Sequence, residues 1–266
     1  MVRLIFVFAF AAALSYGAAP STSLDDAYRD MYNLQFDSAH QAIHEWERAH
    51  PSSPLGPAAD AAAHLFAEFE RLHILQSEFF AQDSNFLSQH QLAPDPQRKQ
   101  DFDQALDQTR KLASSAPASD PDALFAEVLA SGLNSDYLAL IAKRNLAALS
   151  ETKVARAAAD KLLAERPDYY DAYVAVGLEN YLLSLKAAPV RWLLRLGGSK
   201  TDKDEGIQNL RVVAEKGHYL LPFARLLLAV AAVRDKDREG AKRQLGWLAA
   251  QFPSNHLFRE ELAKVQ

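Results

Sequence analysis

The run Arg166-Pro167-Asp168-Tyr169-Tyr170-Asp171-Ala172-Tyr173-Val174-Ala175-Val176-Gly177 decides how the rest of the chain is read. Pro167 ends one helix, because a proline lacks the N–H of the next turn and its ring clashes with the turn before. After a short link a second helix opens, carrying Tyr173, Val176 and Gly177. The glycine lets two antiparallel helices approach closely. The aromatic and aliphatic residues pack on its flanks. The stretch from Arg166 to Val213 therefore reads as a helical hairpin.

Working outward, one pattern recurs at a fixed interval before a proline. Ala39, Ile43 and Trp46 precede Pro51, and Ala105, Thr109 and Leu112 precede Pro117. Ala155, Ala159 and Leu162 precede Pro167, and Ala241, Leu245 and Leu248 precede Pro253. Gly206, Leu210 and Val213 repeat the pattern but lead to Gly217-His218. Spacings of four and three place each set on one helical face. The periodicity predicts helices over Leu24–Leu34 and Ser38–His50, with Gln35-Phe36-Asp37 as the turn between them. It predicts a long helix over Pro57–Phe80 and a polar loop from Gln82 to Gln97. Another helix is expected over Asp122–Leu149, broken at Gly132-Leu133-Asn134-Ser135. After a unit spanning Pro222 to Pro253, Asn255 caps a terminal helix ending at Lys264.

This register resembles the tetratricopeptide (TPR) repeat, whose period is about 34 residues. Gly177-Leu178-Glu179-Asn180-Tyr181, the apolar insertion through Gly197-Gly198, and the charged start Asp202-Lys203-Asp204-Glu205-Gly206 extend the likeness. So do Ala224–Ala229 and the opening Tyr32-Asn33-Leu34-Gln35-Phe36-Asp37-Ser38-Ala39. The chain is similar to bacterial TPR proteins of the envelope. More distantly, it resembles the eukaryotic TPR family that includes outer-mitochondrial-membrane inclusion-body proteins. The resemblance implies an all-α, right-handed TPR-like solenoid of about five helical hairpins, with insertions and a C-terminal capping helix. It also implies a single domain over residues 24–266 and work as a protein-binding scaffold, with no catalytic motif to carry over.

In such an array the first helix of each hairpin lines a concave groove. That places Tyr28, Met31 and Tyr32 in it, together with Asp171, Val174, Leu178 and Tyr181. Phe223, Leu226 and Val230 follow from the last unit. The lining is apolar. Either a protein segment binds there, or the chain covers its own groove and carries a small apolar or lipid ligand in a closed helical cavity. In the insertion Ala187–Asp202, Arg191, Trp192 and Arg195 form a lip that grips a partner, rests on a membrane surface or folds back on the hairpins.

Composition sets the outer bounds. Of 266 residues 49% are hydrophobic and only 10 are glycine, a balance that favours helices. A formal charge of −5 without a basic stripe argues against nucleic acid. The absence of cysteine excludes disulfides, thiolate catalysis and Cys-ligated zinc. Residues 1–17 have the form of a signal peptide and 18–23 of a linker: Arg3 precedes an uncharged run from Leu4 to Leu14. Export to a periplasm is expected, or anchoring through an uncleaved segment.

His40 and His44 share a helical face, as do His64 and Glu68, but no third ligand follows either pair at a recognisable interval. No nucleophile elbow, orderly triad or phosphate loop occurs. No enzyme activity, cofactor or metal is therefore expected.

Overall fold

The computed structural model describes residues 23–75, 92–184 and 203–266, the side chains of 179–184 excepted, and no strand occurs among them. Helix α1 is Leu24–Tyr32, α2 Phe36–Ala49, α3 Leu55–Arg71 and α4 Pro96–Ser115. Then follow α5 (Pro121–Asp136), α6 (Asn145–Glu165), α7 (Tyr173–Ser184) and α8 (Lys203–Lys216). The chain ends in α9 (Leu221–Arg234), α10 (Arg238–Gln251) and α11 (His256–Lys264). The all-helical architecture is as expected. The expected leader (residues 1–17) and linker lie outside the described residues, apart from Ser23.

Short polar side chains start these helices by accepting from N–H groups that have no partner within the helix. Ser23 and Asp26 form a reciprocal capping box on α1. Asp95 and Asp120 each stand before a proline and accept from the N–H of Arg98 and Ala123 at the starts of α4 and α5. Asn255 caps α11 as its sequence position suggests.

Three helix ends share one turn. Leu34, His73 and Lys236 take positive φ angles of 60, 57 and 60°. The next N–H reaches back to Asp30, Phe69 and Ala232 respectively, at 2.8 to 2.9 Å. These turns correct the expected boundaries. The bend after α1 is at Asn33–Gln35, so Phe36 and Asp37 already belong to α2. The His73 turn ends α3 at Arg71, well before Phe80. The break expected at Gly132–Ser135 does not occur: α5 runs through it and ends in a π-helical turn, Tyr137–Ile141, closed by Lys143 at φ 56°.

Helices adjacent in sequence pack in pairs: α1 with α2, α3 with α4, α5 with α6, α7 with α8, and α9 with α10, with α11 against α10. The second helix of each pair carries the recurring pattern on its buried face. Ala39, Ile43, Thr109, Ala159, Leu162, Leu210, Val213, Ala241 and Leu248 are completely buried. Gly177 does what its position suggests. A Cβ there would stand 2.9 Å from the Gly206 carbonyl oxygen, so only glycine lets α7 lie so close to α8.

The helical run Pro121–Ile141 is apolar and long enough to cross a membrane by length and composition. It is largely buried within the fold, between α3, α4 and α6.

The two ends of the fold meet. Asn255 donates from Nδ2 to the Tyr32 carbonyl at 2.8 Å, and the Ser254 N–H donates to Asn33 Oδ1 at 3.2 Å. The Tyr32 hydroxyl donates to the Tyr219 carbonyl at 2.9 Å, and Tyr28 stacks on Tyr219 with ring centroids 4.6 Å apart. The first hairpin is thus fastened both to the α8–α9 turn and to the start of α11.

Candidate functional site

Between these joined ends lies a cavity of about 140 Å³. It is walled mostly by first helices of the pairs. Tyr28, Met31 and Tyr32 come from α1, and Ala62 and Phe66 from α3. Helix α5 contributes Val128, Leu129, Gly132 and Leu133, α7 contributes Val174 and Leu178, and α9 contributes Phe223 and Leu226. Leu257 and Phe258 of α11 close one side. The wall is overwhelmingly apolar. One ring packing is edge-on, Phe66 against Phe223 at 5.9 Å, the favoured geometry for aromatic quadrupoles.

Of the residues expected to face a groove, Tyr28, Met31, Tyr32, Val174, Leu178, Phe223 and Leu226 are brought together around this cavity. Val230 is half-buried on α9 and does not line it. The side chain of Tyr181, and Arg191, Trp192 and Arg195 of the expected lip, lie outside the described residues.

Asp171 is a correction. It is only 3% exposed and faces a backbone turn, not a groove. Its carboxylate accepts from the N–H groups of His218 (2.8 Å), Tyr219 (2.9 Å) and Leu220 (3.3 Å). Burial pushes its carboxyl above the usual range, and the three N–H donors pull it back. No side chain of the α8–α9 turn caps α9, and Asp171 satisfies the N–H groups of that turn from the short helical turn Tyr170–Ala172 just before α7. This accounts for the hairpin that lacks the usual terminal proline.

Two polar groups in the wall have no partner among the described residues. Asp136, the last residue of α5, caps nothing and makes no hydrogen bond or ion pair with the described residues. The surface it leaves open faces the cavity. Burial alone pushes its carboxyl up to about 7, so near neutral pH it is partly protonated and able to donate as well as accept. Tyr28 stacks on Tyr219 but its hydroxyl bonds to nothing described, and burial raises it far above a free phenol. By contrast Ser135 and Thr152 are satisfied, both donating to the Ala148 carbonyl at 3.0 Å.

Gly132 shapes the space. A Cβ built there meets nothing within 4 Å, so the glycine leaves room that most side chains would occupy. Sequence reasoning missed both Gly132 and Asp136. It read a glycine within an apolar helix as a break, whereas the opposing helices absorb its low propensity and use its missing side chain. The signal for Asp136 was present: it is the one acid in the apolar stretch Ala123–Ile141 apart from Glu127.

No protein-family model, no curated protein and no solved structure matches this chain.

Proposed function

We propose that the chain is a non-catalytic binding protein that holds a small, mainly apolar molecule in the central cavity. The ligand would present one hydrogen-bonding group to Asp136. The observation carrying this reading is an apolar cavity with one carboxyl in its wall, Asp136, that makes no bond to the described residues. Buried polar groups are rarely left without partners, and a ligand head group would supply them. Size limits the ligand. A cavity of about 150 Å³ takes one benzene-sized molecule, so a single ring or short alkyl chain fits where a whole diacyl lipid does not. The fold reading that goes with it is a TPR-like, right-handed solenoid of five hairpins closed by α11. Its support is the buried register on α2, α4, α6, α8 and α10 and the shared turns at Leu34 and Lys236. Export, as the N-terminal sequence suggests, belongs to the same proposal.

A protein scaffold with an open groove has less support, since the groove residues are used in the wall of the chain's own cavity. The test is thermal unfolding of the full chain with benzene and with 1-hexanol, beside the variant Gly132→Leu, which fills the cavity. Saturating probe at about 100 times its Kd should stabilise the natural chain by about 2.7 kcal/mol and leave the filled variant unchanged. Native mass spectrometry should show one probe per chain. Absence of any shift, or an equal shift in the variant, rejects the cavity. Capture of a discrete protein by cross-linking, lost in Phe223→Ala, would restore the scaffold.

A further inference from the structure

We propose that His40, Asp60 and His64 form a binding site for one divalent transition-metal ion of the zinc type, with His44 as its fourth ligand. The site is separate from the cavity and lies between α2 and α3. The ligand atoms of His40, Asp60 and His64 all lie within 4.8 Å of one another. His40 Nδ1 is 2.6 Å from Asp60 Oδ1, His64 Nε2 is 3.5 Å from Asp60 Oδ2, and His44 Nε2 is 3.7 Å from Asp60 Oδ1.

Metal–nitrogen and metal–oxygen bonds of about 2.0–2.2 Å in a tetrahedron put ligand atoms about 3.3 Å apart. The His64 separation already approaches that value, while the exposed His44 stands outside the cluster of the other three and would swing in to complete it. The first would open by well under 1 Å as the metal replaces the proton between His40 and Asp60. Imidazole and carboxylate together suit zinc and its neighbours rather than calcium or magnesium, which take oxygen ligands.

The arrangement exceeds what joining two helices requires. One His–Asp hydrogen bond would do that, yet three imidazoles surround a single carboxylate. Between Leu55 and Ala67 the only polar side chains are Asp60 and His64, one turn apart on an otherwise small and apolar helix. Alanines flank Asp60 on both sides and fill the turn up to His64, and Ala58, Ala59, Ala61 and Ala63 are completely buried. That smooth wall lets α2 come close enough for its own one-turn pair, His40 and His44, to reach the same carboxylate.

Charge points the same way. The Glu47 carboxyl, one turn beyond His44 on α2, is raised chiefly by burial and secondarily by the nearby Asp60. Neither acid pairs with a lysine or arginine among the described residues. Two carboxylates without a lysine or arginine partner, one of them ringed by imidazole nitrogens, suit a dication. Helix spacing alone found His40 with His44 but not the carboxylate that joins them to His64, and the pairing of His64 with Glu68 is not made. Glu68 instead receives Arg71 at 2.7 Å and the Asp95 N–H at 2.9 Å, fastening the start of α4 to α3.

The test is titration of the full chain, first stripped of metal by a chelator, with Zn²⁺ by calorimetry and with Co²⁺ by visible absorption. We expect one ion per chain, the intense d–d bands of tetrahedral cobalt, and a raised Tm. His64→Ala should weaken binding by at least the roughly 10- to 100-fold typical of lost shell contacts. Replacing the exposed His44 by Ala, which threatens the fold least, should weaken it and shift the cobalt spectrum. His73→Ala should leave metal binding unchanged. No stoichiometric binding, or binding undiminished in both His64→Ala and His44→Ala, overturns the site.

Discussion

Asp136 converts a local property of one residue into a dependence of the whole fold on pH. An acid whose folded pKa lies above its unfolded value binds its proton more tightly when folded. Stability from that proton is present below the unfolded value, about 3.9, and is lost as pH rises through the folded value of about 7. The natural chain should therefore weaken between pH 5 and 8. Asp136→Asn, uncharged throughout, should lack this component and be the more stable of the two at pH 8, by on the order of a few kcal/mol. Paired thermal scans at pH 5 and 8 test it, and a difference that does not grow with pH would refute it. The residue was visible in the sequence, but its isolation was not. Whether a carboxylate finds a partner depends on neighbours from other helices, which spacing along one helix does not report.

At the scale of the element, much of the fold could be read directly. Ala39, Ala155 and Ala241 announced second helices because a small residue followed by large ones at helical spacing has one good packing solution. Helix ends were harder. Leu34, His73 and Lys236 sit in left-handed conformations that glycine usually supplies, so nothing in their identities marks a stop. Backbone bonds to Asp30, Phe69 and Ala232 fix those ends instead. Lys236 is exposed, which makes it the clean test. Lys236→Gly removes the Cβ strain and should stabilise the chain by about 0.5–1 kcal/mol, a rise of roughly 2–4 °C in Tm per kcal/mol for a domain of this size. A lowered Tm would mean that the turn is held by the lysine side chain. Seven of the predicted groove residues line one cavity because the face they share follows from the helix register, while Val230 does not line it. Asp171 departed because register does not reveal that a neighbouring turn lacks its own cap.

At the scale of the molecule, the contacts between Tyr32, Asn33, Ser254 and Asn255 had no counterpart in the sequence reading, since an open array keeps its ends apart. Asn255→Ala removes both the α11 cap and the bond to Tyr32 and should cost about 1–2 kcal/mol. Hydrogen exchange distinguishes a local from a shared loss. Amides of α1 and α11 should lose protection together, and loss confined to α11 would show that the ends do not support each other. The joining also carries a consequence in time. Its hydrogen bonds span 221 and 223 residues of sequence, the slowest kind of contact for a chain to find, whereas each hairpin needs only its neighbours. The hairpins can therefore form early and the ring of contacts must close late. The cavity wall includes α1 and α11, so the site comes into being only at that final step. By thermodynamic reciprocity, any molecule that favours the closed form is itself held more tightly by closure, to the same degree. Loading would then favour the last step of folding, and that step would favour loading in equal measure.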